Sequence, residues 1–236
     1  MTVVGASDMN KAVEEVKKDK SNAIVIAPEI SGDVVSVKKV SVEVPKASVS
    51  NIAKDTKADL KVETPVGGVT IPNDALASVA NNAAGSDISI NVETKTEADV
   101  TDRSVDASSG IVVSVTITSG GRDITSFGGK SITIDLPVDS KYTEGRSYNV
   151  VQISKDGKKE TLVGKCVKVN GKLFVRVSTT HLSTFVVLND KVVPFTDIAG
   201  HWAEDGIKYV YGRGIMNGTS DTLFSPESTL SRAMLI

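Results

Sequence analysis

Cysteine is almost missing from this sequence: Cys166 is the single one in 236 residues. That excludes an intramolecular disulfide and any multi-cysteine zinc site. Within the apolar stretch Val163–Val169, Cys166 reads as a small buried hydrophobe. Histidine is nearly as scarce, and His181 and His201, the only two, lie far apart, which argues against a His-rich metal centre. No metal and no cofactor is expected. Aromatic residues amount to 4%, too few for a broad platform of stacked rings. Neither charge dominates, with 27 basic and 29 acidic side chains and a net charge of -2. Such a balance leaves no electrostatic footprint for nucleic acid or an anionic membrane. No apolar run approaches the ~20 residues of a membrane span. The N-terminus lacks the basic segment and apolar core of a secretion signal, and the chain stops at Met234-Leu235-Ile236, inside what reads as a helix. Both ends are therefore expected to be cut from a longer protein.

What is abundant is Val, Ile, Ala and Leu, within a hydrophobic share of 40%. β-Branched side chains suit a pleated, half-buried surface. Met9, Ala12, Val13 and Val16 fall on one face of a helix over Met9–Lys18, started by Ser7 or Asp8. Asn22–Pro28 and Val34–Val44 read as strands. An internal repeat follows. Val42-Glu43-Val44-Pro45, Lys46–Ala53 and Ala58–Thr64 correspond to Val69-Thr70-Ile71-Pro72, Asn73–Ala80 and Ser86–Thr94. Each copy is strand, proline in the first turn of a short helix, then strand, because proline lacks the N–H that would be unpaired there. Val49, Ile52 and Ala53 mark the buried helix face in one copy, and Leu76, Val79 and Ala80 in the other.

Polar Thr96–Gly110 reads as a loop. Ile111–Thr118, Ser131–Leu136, Ser147–Ile153, Thr161–Val169, Lys172–Ser178 and Thr184–Leu188 read as strands. Asp156-Gly157 and Asn170-Gly171 are expected as hairpin turns with positive φ at both central residues. Gly120-Gly121 and Gly128-Gly129 lack the strand-to-helix context of a phosphate loop and read as hairpins or bulges. The expected fold is mainly β: a β-sandwich with short helices, built on a duplicated strand–helix–strand unit and spanning 1–190, divisible into 1–95 and 105–190. A partial α-helical module over 191–236 follows it.

That last segment carries Phe195-Thr196-Asp197-Ile198, His201-Trp202-Ala203, Ile207-x-Tyr209-Val210, Gly214-Ile215-Met216-Asn217-Gly218, Phe224-Ser225-Pro226 and Leu230-Ser231-Arg232-Ala233-Met234. In order and separation these landmarks resemble the surface-layer homology family of bacterial cell envelopes. Periodicity adds an amphipathic helix over His201–Arg213, with Trp202, Ile207, Val210 and Tyr211 on one side, a stop at Gly214, and a second helix beginning near Ser231. The resemblance implies binding of secondary cell-wall polysaccharide, often bearing pyruvate ketals, in grooves between neighbouring repeats. It maps the family's binding arginine onto Arg232, whose planar fork suits a carboxylate, and maps Asp197 and Trp202 onto other motif positions. Asp197 reads more readily as a loop brace and Trp202 as core filling. Ser231 and Met234 replace the Thr and Glu of the commonest motif.

Val177–Asp190, VSTTHLSTFVVLND, resembles the cleavage site of autoproteolytic domains in adhesion receptors and their bacterial relatives. The resemblance implies Ser183 as nucleophile, His181 as general base and Leu182–Ser183 as the scissile bond, with base and strain lowering the barrier. The alternative is a tight corner before the last strand. Carboxylates are dispersed, with Glu14-Glu15 and Asp8/Asp19 flanking a solvated helix face. A non-enzymatic, extracellular wall or S-layer protein region is expected, one that spaces or presents an upstream unit and anchors it through complete repeats. Its partners would be wall polysaccharide and other envelope proteins. The rivals are an ancillary region of a secreted glycan hydrolase, a carbohydrate- or protein-binding sandwich, and a self-cleaving domain.

Overall fold

Alternation of apolar and polar residues fixes which way each strand faces. On Lys39–Pro45 the residues Val40, Val42 and Val44 are buried, and on Asp87–Lys95 so are Ile88, Ile90 and Val92. The two strands pair antiparallel with Val42 opposite Ile90, so one face is apolar and the other wet. The computed structural model describes residues 2–19, 21–28, 37–100, 105, 107–108, 110–188, 193–212 and 215–229. It divides into two compact units, Met1–Leu188 and Asn189–Ile236.

The first unit runs β1 (Thr2–Val3), α1 (Ala6–Asp19), β2 (Ala23–Ile26), β3 (Lys39–Pro45), α2 (Lys46–Asp55), β4 (Asp59–Thr64), β5 (Gly67–Ile71), α3 (Asn73–Asn82) and β6 (Asp87–Lys95). A run of strands follows: β7 (Val112–Ser119), β8 (Arg122–Asp123), β9 (Ile132–Val138), β10 (Ser147–Ile153), β11 (Lys159–Val169), β12 (Lys172–Thr179) and β13 (Thr184–Val187). Twelve of them form one path, β1-β3-β6-β7-β13-β10-β11-β12-β9-β5-β4-β2, with β8 hairpinned onto β7. The path curls until its arms face each other. A Cβ added at Gly67 on β5 would lie 3.0 Å from Val92 Cγ1 on β6, although the two strands are far apart in the order. The fold is thus mainly β, a β-sandwich with short helices, filled by one apolar cluster reaching from Met9 to Val187.

The repeat is present, and its copies interlock. β3 of the first copy pairs with β6 of the second, and β4 of the first pairs with β5 of the second. α2 and α3 therefore each start at one arm of the sheet and end at the other, as does α1 between β1 and β2. Each helix is tied at its start to the opposite copy. Lys46 donates from its backbone N–H to Ser86 O (2.8 Å) and from Nζ to Ala83 O (2.8 Å). Asn73 N–H donates to Asp59 Oδ1 (2.9 Å), and its Nδ2 to Ile52 O (3.2 Å) and Ala58 O (3.1 Å). These bonds satisfy amides that a helix start leaves open and a carbonyl near the end of α2. Val49 and Ile52 on α2, with Leu76, Val79 and Ala80 on α3, face the core as their spacing required; Ala53 packs on its edge.

Several local expectations need correction. Pro45 and Pro72 stand one position before the helices, at the N-cap, with φ of -59° and -65° and extended ψ of 132° and 150°. There proline turns strand into helix, and it leaves the first helical amide free to bond across to the other copy. The first helix is longer than Met9–Lys18. β3 starts at Lys39, and residues 34–36 of the expected strand lie outside the described ones. Asn170 and Gly171 do share positive φ (49° and 80°), but at the other turn only Gly157 does (81°). Ser154 N donates to Lys158 O (2.9 Å) and Gly157 N to Ser154 O (2.9 Å), a type I turn closed by a left-handed glycine. The Ser154 hydroxyl donates to Asp156 Oδ1 (2.5 Å), which pulls the Asp156 carboxyl down to about 2. Gly120-Gly121, with φ of 55° and 75°, forms the β7–β8 turn.

The interlock is open to test. Asn73→Ala removes two hydrogen bonds that tie α3 to Ile52 O and Ala58 O and is expected to cost about 1–3 kcal/mol, read from the urea midpoint at unchanged slope.

Candidate functional site

In the second unit, Phe195, Ile198 and Ile207 form a small core on which Val193, Ala203, Tyr211 and Phe224 pack. The Phe195 ring meets Tyr211 edge-on at 4.7 Å and Phe224 at 5.3 Å. Its helix, α4 (Glu204–Gly212), begins three residues later than the expected His201–Arg213. The segment before it is a turn, in which His201 N donates to Ile198 O (3.0 Å) and Ala203 N donates to His201 Nδ1 (3.1 Å). Because Nδ1 accepts, Nε2 carries the ring proton, and it faces Glu227 Oε1 at 2.6 Å. Glu204 Oε2 takes the Gly200 amide (2.8 Å) and Oε1 takes Lys208 Nζ (2.5 Å), and both bonds lower its carboxyl below the usual range, Lys208 most.

Asp197 is a brace. Its Oδ1 accepts from Phe224 N (3.0 Å) and its Oδ2 from Ser225 N (2.7 Å). The landmarks around Phe195 and Phe224 are thus two halves of one contact: ring on ring, and carboxylate on amides. The Phe224 amide is the chief reason that the Asp197 carboxyl is held below its usual range. Ser225 takes φ of 60° to present its amide, one of two non-glycine residues with positive φ among those described. Gly218 is demanded by packing, since a Cβ there would lie 2.3 Å from Phe195 Cε1 and 2.4 Å from Leu223 O.

Trp202 does not fill the core. It precedes α4, is 90% exposed, and its ring lies 5.5 Å from that of His201. The expected apolar side placed it with Ile207, but with no helix at residue 202 that periodicity does not apply. Tyr209, Ile215, Met216 and Leu223 are exposed as well, so five of the seven large apolar side chains exposed among the described residues belong to this unit. Arg232, with Ser231 and the expected second helix, and Gly214 lie outside the described residues.

His181 and Ser183 are close in sequence, but their functional atoms do not meet. The His181 ring contacts Thr180 Oγ1 (3.1 Å) and lies 3.8 Å from Glu160 Oε2. Ser183 Oγ is buried without a hydrogen-bond partner. The corner itself is tightly held, since His181 O accepts from Gln152 Nε2 (2.8 Å) and Thr179 Oγ1 (3.0 Å). Cys166 is free and buried, and burial pushes its thiol up, away from reactivity. Among the described residues no group of three or more His, Cys, Asp or Glu is placed to hold a metal, and no helix is long and apolar enough to cross a membrane. The Glu227 partner of His201 and the packing demand at Gly218 were missed in the sequence. Glu227 is distant along the chain and carries no periodic signal, whereas Gly218 stood among the landmarks without a reason.

Two outcomes follow from this geometry. Gly218→Ala is expected to unfold the second unit alone, seen as collapse of its amide signals while those of the β unit persist. Asp197 adds stability that is present above the ordinary carboxylate value of ~4 and is lost as pH falls through its lowered folded value. The Phe224 and Ser225 amide resonances are expected to report that acid transition, and Asp197→Asn to remove it.

Neither a curated protein nor a solved structure matches the chain. Residues 194–233 match the family model of the S-layer homology domain, over the stretch that holds the Phe195 core, the Asp197 brace and Arg232. The chain therefore carries an S-layer homology domain at residues 194–233, a module of cell-wall and cell-surface association.

Proposed function

We propose that this chain is part of a non-enzymatic, extracellular wall or S-layer protein. Its β unit spaces or presents an upstream unit, and its S-layer homology domain joins neighbouring repeats in binding secondary cell-wall polysaccharide. The observation that carries the reading is the concentration of exposed apolar side chains on the small domain: Trp202, Ile215, Met216 and Leu223. Exposed apolar side chains gathered on one small unit suit an interaction surface. A neighbouring repeat would cover it and complete a groove. Arg232 would then pair an acidic group on the polymer through two parallel hydrogen bonds.

Sedimentation with purified cell walls tests this in the full-length protein with its complete set of repeats. Arg232→Ala is expected to weaken binding about tenfold or more, the loss that a charge-assisted hydrogen bond implies; unchanged binding would overturn its role. Trp202→Ala is expected to leave the melting temperature of the chain alone unchanged, because the ring is exposed, while lowering wall binding. The non-enzymatic reading predicts one intact mass after prolonged incubation, and a fragment ending at Leu182 would sink it.

A further inference from the structure

We propose that Asn217-Gly218 is a site of spontaneous deamidation, and that its isoaspartyl product unseats the Phe195 core and so limits the lifetime of the S-layer homology domain. The inference goes beyond wall binding and does not rest on it. Asparagine precedes glycine at two places in the chain, Asn170-Gly171 and Asn217-Gly218. Glycine has no Cβ, so nothing beside its amide nitrogen hinders the approach of that nitrogen to the asparagine Cγ.

The reaction needs only water. The Gly218 nitrogen loses its proton and bonds to Asn217 Cγ; the Cγ–Nδ2 bond breaks, and Nδ2 leaves with a proton as ammonia. A five-membered succinimide remains, and water adds to one of its two carbonyl carbons. If the nitrogen–Cγ bond then breaks, the product is aspartate. If the bond from nitrogen to the Asn217 main-chain carbonyl carbon breaks, the product is isoaspartate, whose main chain runs through the former side chain. The nitrogen regains a proton in either case.

The two sites differ in how firmly their reacting groups are held. Asn170 lies in a two-residue turn closed by Val169 opposite Lys172, with φ of 49°. Its Nδ2 donates to Glu63 Oε2 (3.1 Å), so the amide must leave a carboxylate before its carbon can turn towards Gly171. Asn217 is exposed, and among the described residues no hydrogen bond engages its side chain or the Gly218 amide.

Packing itself demands the labile pair. A Cβ at Gly218 would run into the Phe195 ring and Leu223 O, so a residue with a side chain does not fit after Asn217. The same crowding makes the product damaging. Isoaspartate adds one carbon to the main chain immediately before Gly218, where no added carbon fits. The shift passes onward, because Thr219 Oγ1 meets Ser225 Oγ (2.6 Å) and the Ser225 amide donates to Asp197 Oδ2 (2.7 Å). Ring contact and carboxylate brace are therefore disturbed together.

The test is incubation of the whole chain in mildly alkaline buffer, followed by peptide mapping in the mass spectrometer and labelling with an isoaspartate methyltransferase. Asn217 is expected to convert about tenfold or more faster than Asn170, whose release breaks a bond to a charged group. Glu63→Ala is expected to narrow that gap. The Asn217 rate is expected to rise with pH, since the attacking nitrogen must lose its proton. Asn217→Gln is expected to stop the reaction and preserve the Phe224 and Ser225 amide signals through the same incubation. Asn217→Asp, which has the charge without the added carbon, is expected to keep them too, whereas the purified isoaspartyl form loses them while those of the β unit persist. The proposal is overturned if Asn217 converts no faster than Asn170, or if the isoaspartyl form retains those signals. Their loss in Asn217→Asp as well overturns the added carbon as the cause.

Discussion

The first helical residues of α2 and α3 reach across to each other's copy, and the architecture of the β unit depends on that exchange. A sheet this long does not close by strand pairing, for β1 and β2 lie at its opposite ends. Its arms are held facing by α1, α2 and α3, each spanning from one arm to the other, and by the bonds of Lys46 and Asn73 to Ser86, Ala83, Asp59, Ile52 and Ala58. The helices are too short to be stable alone. Their apolar faces are stabilised only as they fill the space between the arms. Strand exchange has a second effect: neither copy has a complete hairpin of its own, so the duplicated unit folds as one body with one core.

That closure leaves the outer face of the sheet to be managed separately. Part of it is covered by a small cluster in which Val100, Ala107, Val112 and Val186 pack together. Beside this patch β13 runs out, and the chain turns through His181-Leu182-Ser183 under the hold of Gln152 and Thr179. The corner ends a strand with the His181 carbonyl held, and beside it lies Ser183, whose Oγ is the one buried side-chain polar atom without a hydrogen-bond partner among the described residues.

The S-layer homology domain shows the opposite economy of burial. Among its described residues the core is three side chains with four more on the margin. Polar brackets supplement it: Asp197 on the Phe224 and Ser225 amides, Glu204 on the Gly200 amide, and His201 between Ala203 and Glu227. Trp202, Tyr209, Ile215, Met216 and Leu223 are exposed. Such a module is well suited to association and poorly suited to isolation.

Much of this was legible in the order of residues. Alternating Val and Ile marked the strands, the two Pro-led helices revealed the duplication, and the spacing of Phe195, Asp197, Phe224 and their neighbours marked the domain, because all these signals are local. Registers, partners and exposures were not local. No pattern within β3 or β4 says that each will pair with the other copy, since pairing is decided by closure of the whole sheet. Trp202 looked like core filling because helical periodicity was extended three residues too far, into a turn where the ring points outward. A resemblance offered His181 and Ser183 as a catalytic pair beside the plainer reading of a tight corner; the His181 ring lies 3.8 Å from Glu160 and the Ser183 hydroxyl is buried. The sequence by itself determined the elements and the presence of a cell-surface module. Only the tertiary structure decided which side chains meet, because contacts across long loops depend on how the sheet curls and not on any spacing along the chain.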